Sequence, residues 1–273
     1  MPIHPDLRSM EIDIPTQPGP LAELSMLLTE EVVNLQAVGA LIEQDMALAS
    51  AVIKVVNSSK FSLSGRVRSV HHAITYLGVA EVASATFEIG LRAVFPSSPA
   101  LDPVWERAAV RGALMGRIGH ALRVDPWIAH SAGLFEECGK AVLYRHAPTQ
   151  YPLLLKEAAS DEALVALEMH AFGISHDALG AALCESWGLA AAVAHSVRHH
   201  VATNATRQLP MQVERRSVCA ISALANALMN DSESLDAVAE AVAPQANLDV
   251  AMTLREVRRV QVRIEEALAR RGG

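Results

Sequence analysis

Two adjacent carboxylates, Glu136 and Glu137, stand inside the apolar stretch "AGLFEECGKAVL" (132–143), with Gly139 and Lys140 just after them. A carboxylate in apolar surroundings is costly unless it binds a metal, moves a proton or meets a cation. The stretch reads as one buried helix, on which adjacent residues point about 100° apart, so the pair cannot share one direction. Among 11 histidines, His195 and His199 are spaced i, i+4 on a helical stretch with His200 adjoining. That spacing can turn two imidazoles toward one metal. No HExxH motif accompanies them and no carboxylate lies between them, which favours ordinary helix-face histidines over ligands. His71-His72 and His130 are isolated in the sequence.

Other chemistries leave no trace. There is no GxSxG, no cysteine with a local activating pattern, and neither GxxxxGK[ST] nor GxGxxG. Gly139-Lys140 lacks the upstream glycine and the following hydroxyl of a phosphate loop.

The elements that must position these residues are helices. Ala and Leu abound, aromatics are 4%, and no convincing alternating strand occurs. Residues 1–20 read as extended and proline-rich, followed by a helix from Leu21 to Leu28. Asn34 can cap a helix to Gln44, Asp45 one over "MALASAVIKVVNSS", and Ser69 one ending at Gly78. A further helix spans about 80–94. "PSSPALD" (96–102) marks the best boundary. Asp102-Pro103 and Asp125-Pro126 each pair an Asp cap with proline at the first helical position. They open helices at about 103–123 and from 126, the second carrying the Glu pair. Helices follow at about 150–158, 161–171, 176–187, 190–201 and 212–229, with 203–210 as a loop. From Thr253 runs a charged amphipathic tail with Leu254, Val257, Val260, Ile264 and Leu268 on one face.

Composition narrows the function classes. With 51% hydrophobic and 19% charged residues over 273, the chain can build a large core. No apolar run approaches the ~18 residues of a membrane span, and the first residues lack the basic start and apolar core of a signal peptide. Cys138, Cys184 and Cys219 are scattered, which suits a reducing cytoplasm and argues against a disulfide framework or a Cys-based zinc site. A net charge of −7 lacks the basic footprint of a nucleic-acid binder. "NLQAVGALIEQDMALASAVIKVV" has the outline of a helix-turn-helix, but its second helix is apolar apart from Lys54 and reads as core. The tail sets Arg255, Arg258, Arg259, Arg263, Arg270 and Arg271 against Glu256, Glu265 and Glu266. Interleaved charge of this kind reads as a solvated face.

Several segments in order, "IDIPTQPGPLAELSMLL", "IEQDMALASAVIKVVNSSKF", "VRSVHHAITYLGVAEV", "AGLFEECGKAVL", Glu168 ahead of "FGISHDALGAALCESWGL", and His199-His200, resemble the HDOD family. These are bacterial signalling proteins related to HD-domain phosphohydrolases. The resemblance covers roughly residues 14–200. It implies an all-α fold, with an N-terminal helical lobe (1–98) and an HD-like helical lobe (99–273). Catalytic HD relatives would carry His-Asp where this chain has Glu136-Glu137, and an upstream His near Arg107. An HD site needs neutral imidazoles and a carboxylate around a divalent metal, and an arginine there repels one.

The expectation is therefore a non-catalytic, cytoplasmic signal-transduction or regulatory protein with no metal and no cofactor, acting through protein partners. Arg107, Arg111, His130, Glu136, Glu137, Lys140, His195, His199 and His200 are the candidates for the vestigial cleft. Arg107, Arg111 and Lys140 are the cations that would meet a nucleotide or cyclic dinucleotide. Arg107 or Lys140 is expected to pair with the glutamates, Lys140 through an i, i+4 step from Glu136. Two other readings stay open: a degenerate phosphohydrolase using Glu136, Glu137, His130 and His199/His200, and a nucleic-acid binder working through the tail.

Overall fold

The computed structural model of the chain describes residues 11–30, 32–58, 67–212 and 215–272. Among these the regular structure is helical, with no strand. The chain divides into two compact units. One comprises residues 16–95 with 265–272, the other residues 11–15 with 96–264. The break falls between Phe95 and Pro96, at the start of the proline-rich segment. Residues 11–15, assigned from sequence to the first lobe, group with the second unit instead. Trp187 donates its indole N–H to the Pro15 carbonyl (2.7 Å) and Arg145 meets Asp13 (2.6 Å). The part of the leader before Glu11 lies outside the described residues.

The first unit contains α1 (Gly19–Leu28), α2 (Leu35–Gln44), α3 (Met46–Val56), α4 (Val70–Leu77) and α5 (Val79–Ala93). Its helix starts follow the sequence. The Asn34 side chain accepts from the N–H groups of Gln36 and Ala37, Asp45 from those of Ala47 and Leu48, and Ser69 from that of His72. Each cap satisfies donors that the first turn leaves without partners. Gly78 joins α4 to α5 with φ of 85°, a left-handed conformation that a side chain resists. The helix-turn-helix outline is filled by Val38, Leu41, Ile42, Val52 and Val56, all buried.

The second unit opens with α6 (Asp102–Ala121), α7 (Pro126–Phe135), α8 (Cys138–His146) and α9 (Tyr151–Glu157). It continues with α10 (Asp161–Phe172), α11 (His176–Ser186), α12 (Ala191–Thr206), α13 (Arg216–Asn230), α14 (Leu235–Val242) and α15 (Val250–Gly272). Asp125 caps α7 through Trp127 and Ile128 as expected. Asp102 does not cap α6: it is already the first helical residue, and Leu101 stands at the cap. Two further departures lengthen the helical part. α12 runs on to Thr206, into the segment expected as a loop, and stops where Arg207 turns left-handed. α14 was not anticipated; it starts from a short turn at Ser234 that makes no side-chain cap.

The largest departure concerns the glutamate stretch. Its helix ends at Phe135, Glu136 and Glu137 form a turn, and α8 begins at Cys138. The Lys140 N–H bonds the Glu137 carbonyl (3.1 Å), an i to i+3 closure tighter than that of an α-helix. No helix among the described residues is long and apolar enough to cross a membrane.

Candidate functional site

The site is built on close helix approaches in the second unit. α6 turns Gly112 and Gly116 toward α7, which answers with Gly133. A β-carbon on Gly133 would stand 2.9 Å from the Arg111 carbonyl oxygen, so the α7 backbone runs directly against α6 at Arg111. α8 is pressed as firmly on α11: a β-carbon on Gly139 would lie 1.8 Å from the His176 carbonyl oxygen. Only hydrogen fits at such a crossing. The chain between these two contacts is the Glu136-Glu137 turn, enclosed on several sides. The two carboxylates diverge, yet both are buried, at 0% and 1% exposure.

Arg111 lies between the two glutamates, closest to Glu136, and its Nε stands 3.5 Å from Glu137 Oε1. Arg111, itself fully buried, donates through Nη1 to Glu136 Oε2 (2.7 Å) and through Nη2 to Asn226 Oδ1 (3.1 Å). Ser196 Oγ donates to the other Glu136 oxygen (3.2 Å). Glu137 accepts from Arg107 Nε at Oε1 (2.8 Å) and from Lys140 Nζ at Oε2 (2.7 Å). Lys140 also donates to Asp161 Oδ1 (2.9 Å), and Arg107 reaches Asp161 Oδ2 at 3.5 Å and Asn230 Oδ1 at 3.1 Å. Arg107 or Lys140 is expected to meet at least one glutamate; both pair with Glu137. Lys140, however, takes Glu137 at i+3 and not Glu136 at i+4. The break in the helix explains this, since the tight turn brings Glu137 under the lysine.

Three cations (Arg107, Arg111, Lys140) face three carboxylates (Glu136, Glu137, Asp161), and the formal charges cancel. Burial pushes the Glu137 carboxyl up, but Lys140, Arg111 and Arg107 outweigh it and hold the group at about 2. Asp161 is likewise held well below the usual carboxylate range: burial raises it and Lys140 lowers it further. Burial works against the charged forms of Arg111 and Lys140, and their carboxylates reverse this, so both stay protonated.

A second buried cluster adjoins the first. Glu168 accepts from the Tyr151 hydroxyl (2.6 Å) and from the backbone N–H of His176 (2.8 Å), and its Oε2 also stands 2.8 Å from His176 Nδ1. The rings of His176 and His200 lie edge to face at 5.6 Å. His200 donates from Nδ1 to the Val197 carbonyl (2.7 Å), which fixes its tautomer. Burial pushes the His200 imidazole down, and His176 and Arg111 add to this against Glu136, which keeps the ring neutral. The Nε2 atoms of both rings are buried without a hydrogen-bond partner among the described residues.

The nine candidates thus separate. Arg107, Arg111, Glu136, Glu137 and Lys140 form one network, and His200 stands at its edge. His130 stacks on Trp127 with centroids at 5.7 Å. His195 and His199 pair with each other at 4.5 Å on α12, away from the network, His195 buried and His199 half-buried. Sequence reasoning missed Asp161, Glu168, His176, Tyr151, Ser196, Asn226 and Asn230. For Glu168 and His176 a signal existed: a carboxylate and an imidazole flank the Gly173 turn, both facing inward.

A metal of the HD kind does not fit this donor set. The carboxylate oxygens that would bind it are spent on a guanidinium and an ammonium at 2.7 Å. Among the described residues no group of three or more His, Cys, Asp or Glu is arranged to hold a metal ion. No catalytic step is derived through one.

The all-helical fold is HD-like. The family model of the HDOD domain matches residues 14–203, and the chain belongs to that family. A curated relative, an uncharacterized protein of Treponema pallidum (strain Nichols), is 26% identical over 196 residues. That alignment takes 69% of this chain but 37% of the relative, so the chain spans little more than a third of its length. Among solved structures, a proposed signal-transduction protein from Marinobacter aquaeolei VT8 superposes with a TM-score of 0.70 at 19% identity, covering 96% of this chain and 60% of the other. An HDOD domain protein of unknown function from Geobacter sulfurreducens gives 0.69 at 19% identity, covering 93% and 92%. A proposed phosphohydrolase from Shewanella amazonensis SB2B gives 0.65 at 14% identity, again covering 93% and 92%. At these identities the likeness is one of fold.

Proposed function

We propose that this chain is a non-catalytic HDOD signal-transduction and regulatory protein of a bacterial cytoplasm, acting by binding protein partners. The observation that carries the reading is the charge-matched network at the place of an HD metal centre. Hydrolysis in HD relatives needs a Lewis acid to polarise phosphate and generate hydroxide. Here that position holds Arg111, Lys140 and their glutamates, a set that neutralises itself. The reading leaves little role for a nucleotide at Arg107, Arg111 and Lys140, because a phosphate would have to break pairs of 2.7–2.9 Å already made. The Marinobacter relative, described as a signal-transduction protein, agrees with the reading; the Shewanella relative, described as a phosphohydrolase, represents the opposing one.

The test has two arms. Purified protein is incubated with bis(p-nitrophenyl) phosphate and Mn²⁺, Fe²⁺ or Ni²⁺, and its metal content is measured without chelator. Metal-dependent turnover together with stoichiometric metal would overturn the non-catalytic reading. In the second arm, a protein captured on the immobilised chain is purified and titrated back. A saturable isotherm supports partner binding; failure of every captured protein to rebind removes it.

A further inference from the structure

A cleft separate from the network opens between the end of α11, the outer face of α12 and the start of α13. It encloses about 440 Å³ and is lined by His195, Arg198, His199, Gln212, Arg215 and Glu185, with small apolar side chains between them. That volume falls within the range of small-molecule sites. Among the described residues that line it, two guanidinium groups and two imidazoles stand against one carboxylate. Neither Arg198 nor Arg215 has an ion-pair partner among the described residues, in contrast to Arg107 and Arg111. His195 is 8% exposed, lines the cleft, and has a buried Nε2 with no hydrogen-bond partner among the described residues.

We infer that this cleft binds the phosphate of a small phosphomonoester, with Arg198 and Arg215 as charge partners and the His195 and His199 rings on the same wall. Arginine presents paired N–H groups that match phosphate oxygens. The field in the cleft agrees. Burial lowers the pKa of His195, and His199 and Arg215 lower it further. Burial and Arg198 lower His199 against Asp177, which raises it. Together with Glu185 on the wall, these are the titratable and charged groups that face the two rings among the described residues. Burial is the larger cause of both shifts, and the nearby cations add to it. The inference does not depend on the partner-binding reading, and either stands if the other falls.

The experiment uses the full chain and follows the His195 and His199 ring protons by NMR, assigned through His195→Asn and His199→Asn. Inorganic phosphate, glycerol 3-phosphate and AMP are titrated separately at fixed ionic strength. Saturable shifts of both rings are expected, with dissociation constants on the order of 1 mM or tighter. By linkage, the bound ligand raises the pKa of both rings. Arg215→Gln is expected to weaken binding roughly ten-fold, the loss of one charge-assisted hydrogen bond, while leaving the rest of the spectrum in place. Tighter binding of the organic esters than of inorganic phosphate assigns a ligand with a body beyond its phosphate; equal binding assigns free phosphate. The inference is overturned if no probe saturates by tens of millimolar. It is equally overturned if affinity survives Arg198→Gln and Arg215→Gln together, or if only an oligonucleotide binds.

Discussion

The two clusters buried side by side in the second unit solve one problem in opposite ways. The Glu136/Glu137 network is ionic: each carboxylate oxygen has a donor, and three positive groups cancel three negative ones. The Glu168–His176–His200 cluster rests on hydrogen bonds from a phenol and a backbone amide, and it leaves two imidazole nitrogens without partners. Within the first, removing Arg111 leaves Glu136 buried without a cation, whereas Glu137 is shared by Arg107, Lys140 and Arg111. Within the second, removing the Tyr151 hydroxyl takes away a single hydrogen bond. The comparison teaches that Glu136 and Glu137 are structural members of the interior, although their residue types alone would suit catalysis.

The sharpest way to break the contrast is Arg111→Met, which strands Glu136 at full burial. A loss of roughly 3–5 kcal/mol is expected in urea unfolding. The double variant Arg111→Met, Glu136→Leu should recover most of it. If the single change proves mild, the network is not holding this region.

Gly139→Ala probes the seam between the clusters, where α8 of one lies on α11 of the other. The added methyl meets the His176 carbonyl at 1.8 Å, and α8 must move. About 3 kcal/mol or more is expected, at the upper end of overpacking effects. A wild-type melting curve would show that the seam has slack.

Acid should separate the two clusters. Glu137 is held at about 2 against an ordinary 4.5, so the folded protein binds its proton less readily than the unfolded chain does. The resulting stabilisation, roughly 3 kcal/mol, is complete above about pH 5 and fades as pH falls toward 2. Glu137→Gln should lower stability at neutral pH and flatten that part of the profile. A profile equally steep in the variant would assign the acid loss to other carboxylates.

Tyr151→Phe removes one donor from Glu168 and should cost about 1–2 kcal/mol. The smallest effect is expected at the surface. Arg258 Nη2 donates to both Asp236 oxygens at 2.6 and 2.7 Å, but both side chains are more than half exposed. Arg258→Ala should change stability by less than about 1 kcal/mol.

What could be read from sequence follows how local each signal is. The caps Asn34, Asp45, Ser69 and Asp125 act two or three residues ahead, and the helices they start were placed almost to the residue. The pairing of Glu137 with Lys140 was within reach because only one turn separates them. Asn226 and Asn230 lie more than a hundred residues from the arginines they hold, and no spacing rule spans that distance. Arg111 was seen as a ligand cation and not as the partner of Glu136, because their meeting depends on the glycines that let α6 and α7 close. The break after Phe135 was hidden for a similar reason. Nothing in "LFEECGK" forbids a continuous helix; the packing of Gly139 on α11 accompanies the break. α14, a helix of only eight residues, makes no side-chain cap that would announce it.

The matched network also restricts which sequences are reachable from this one. Restoring an HD-type metal centre would require His-Asp at positions 136 and 137. Glu136→His taken alone leaves Arg111 without its carboxylate in the interior. Glu137→Asp keeps a negative charge there, and Lys140 also holds Asp161. The obstacle to such a change therefore sits at Arg111, which would have to be replaced together with Glu136.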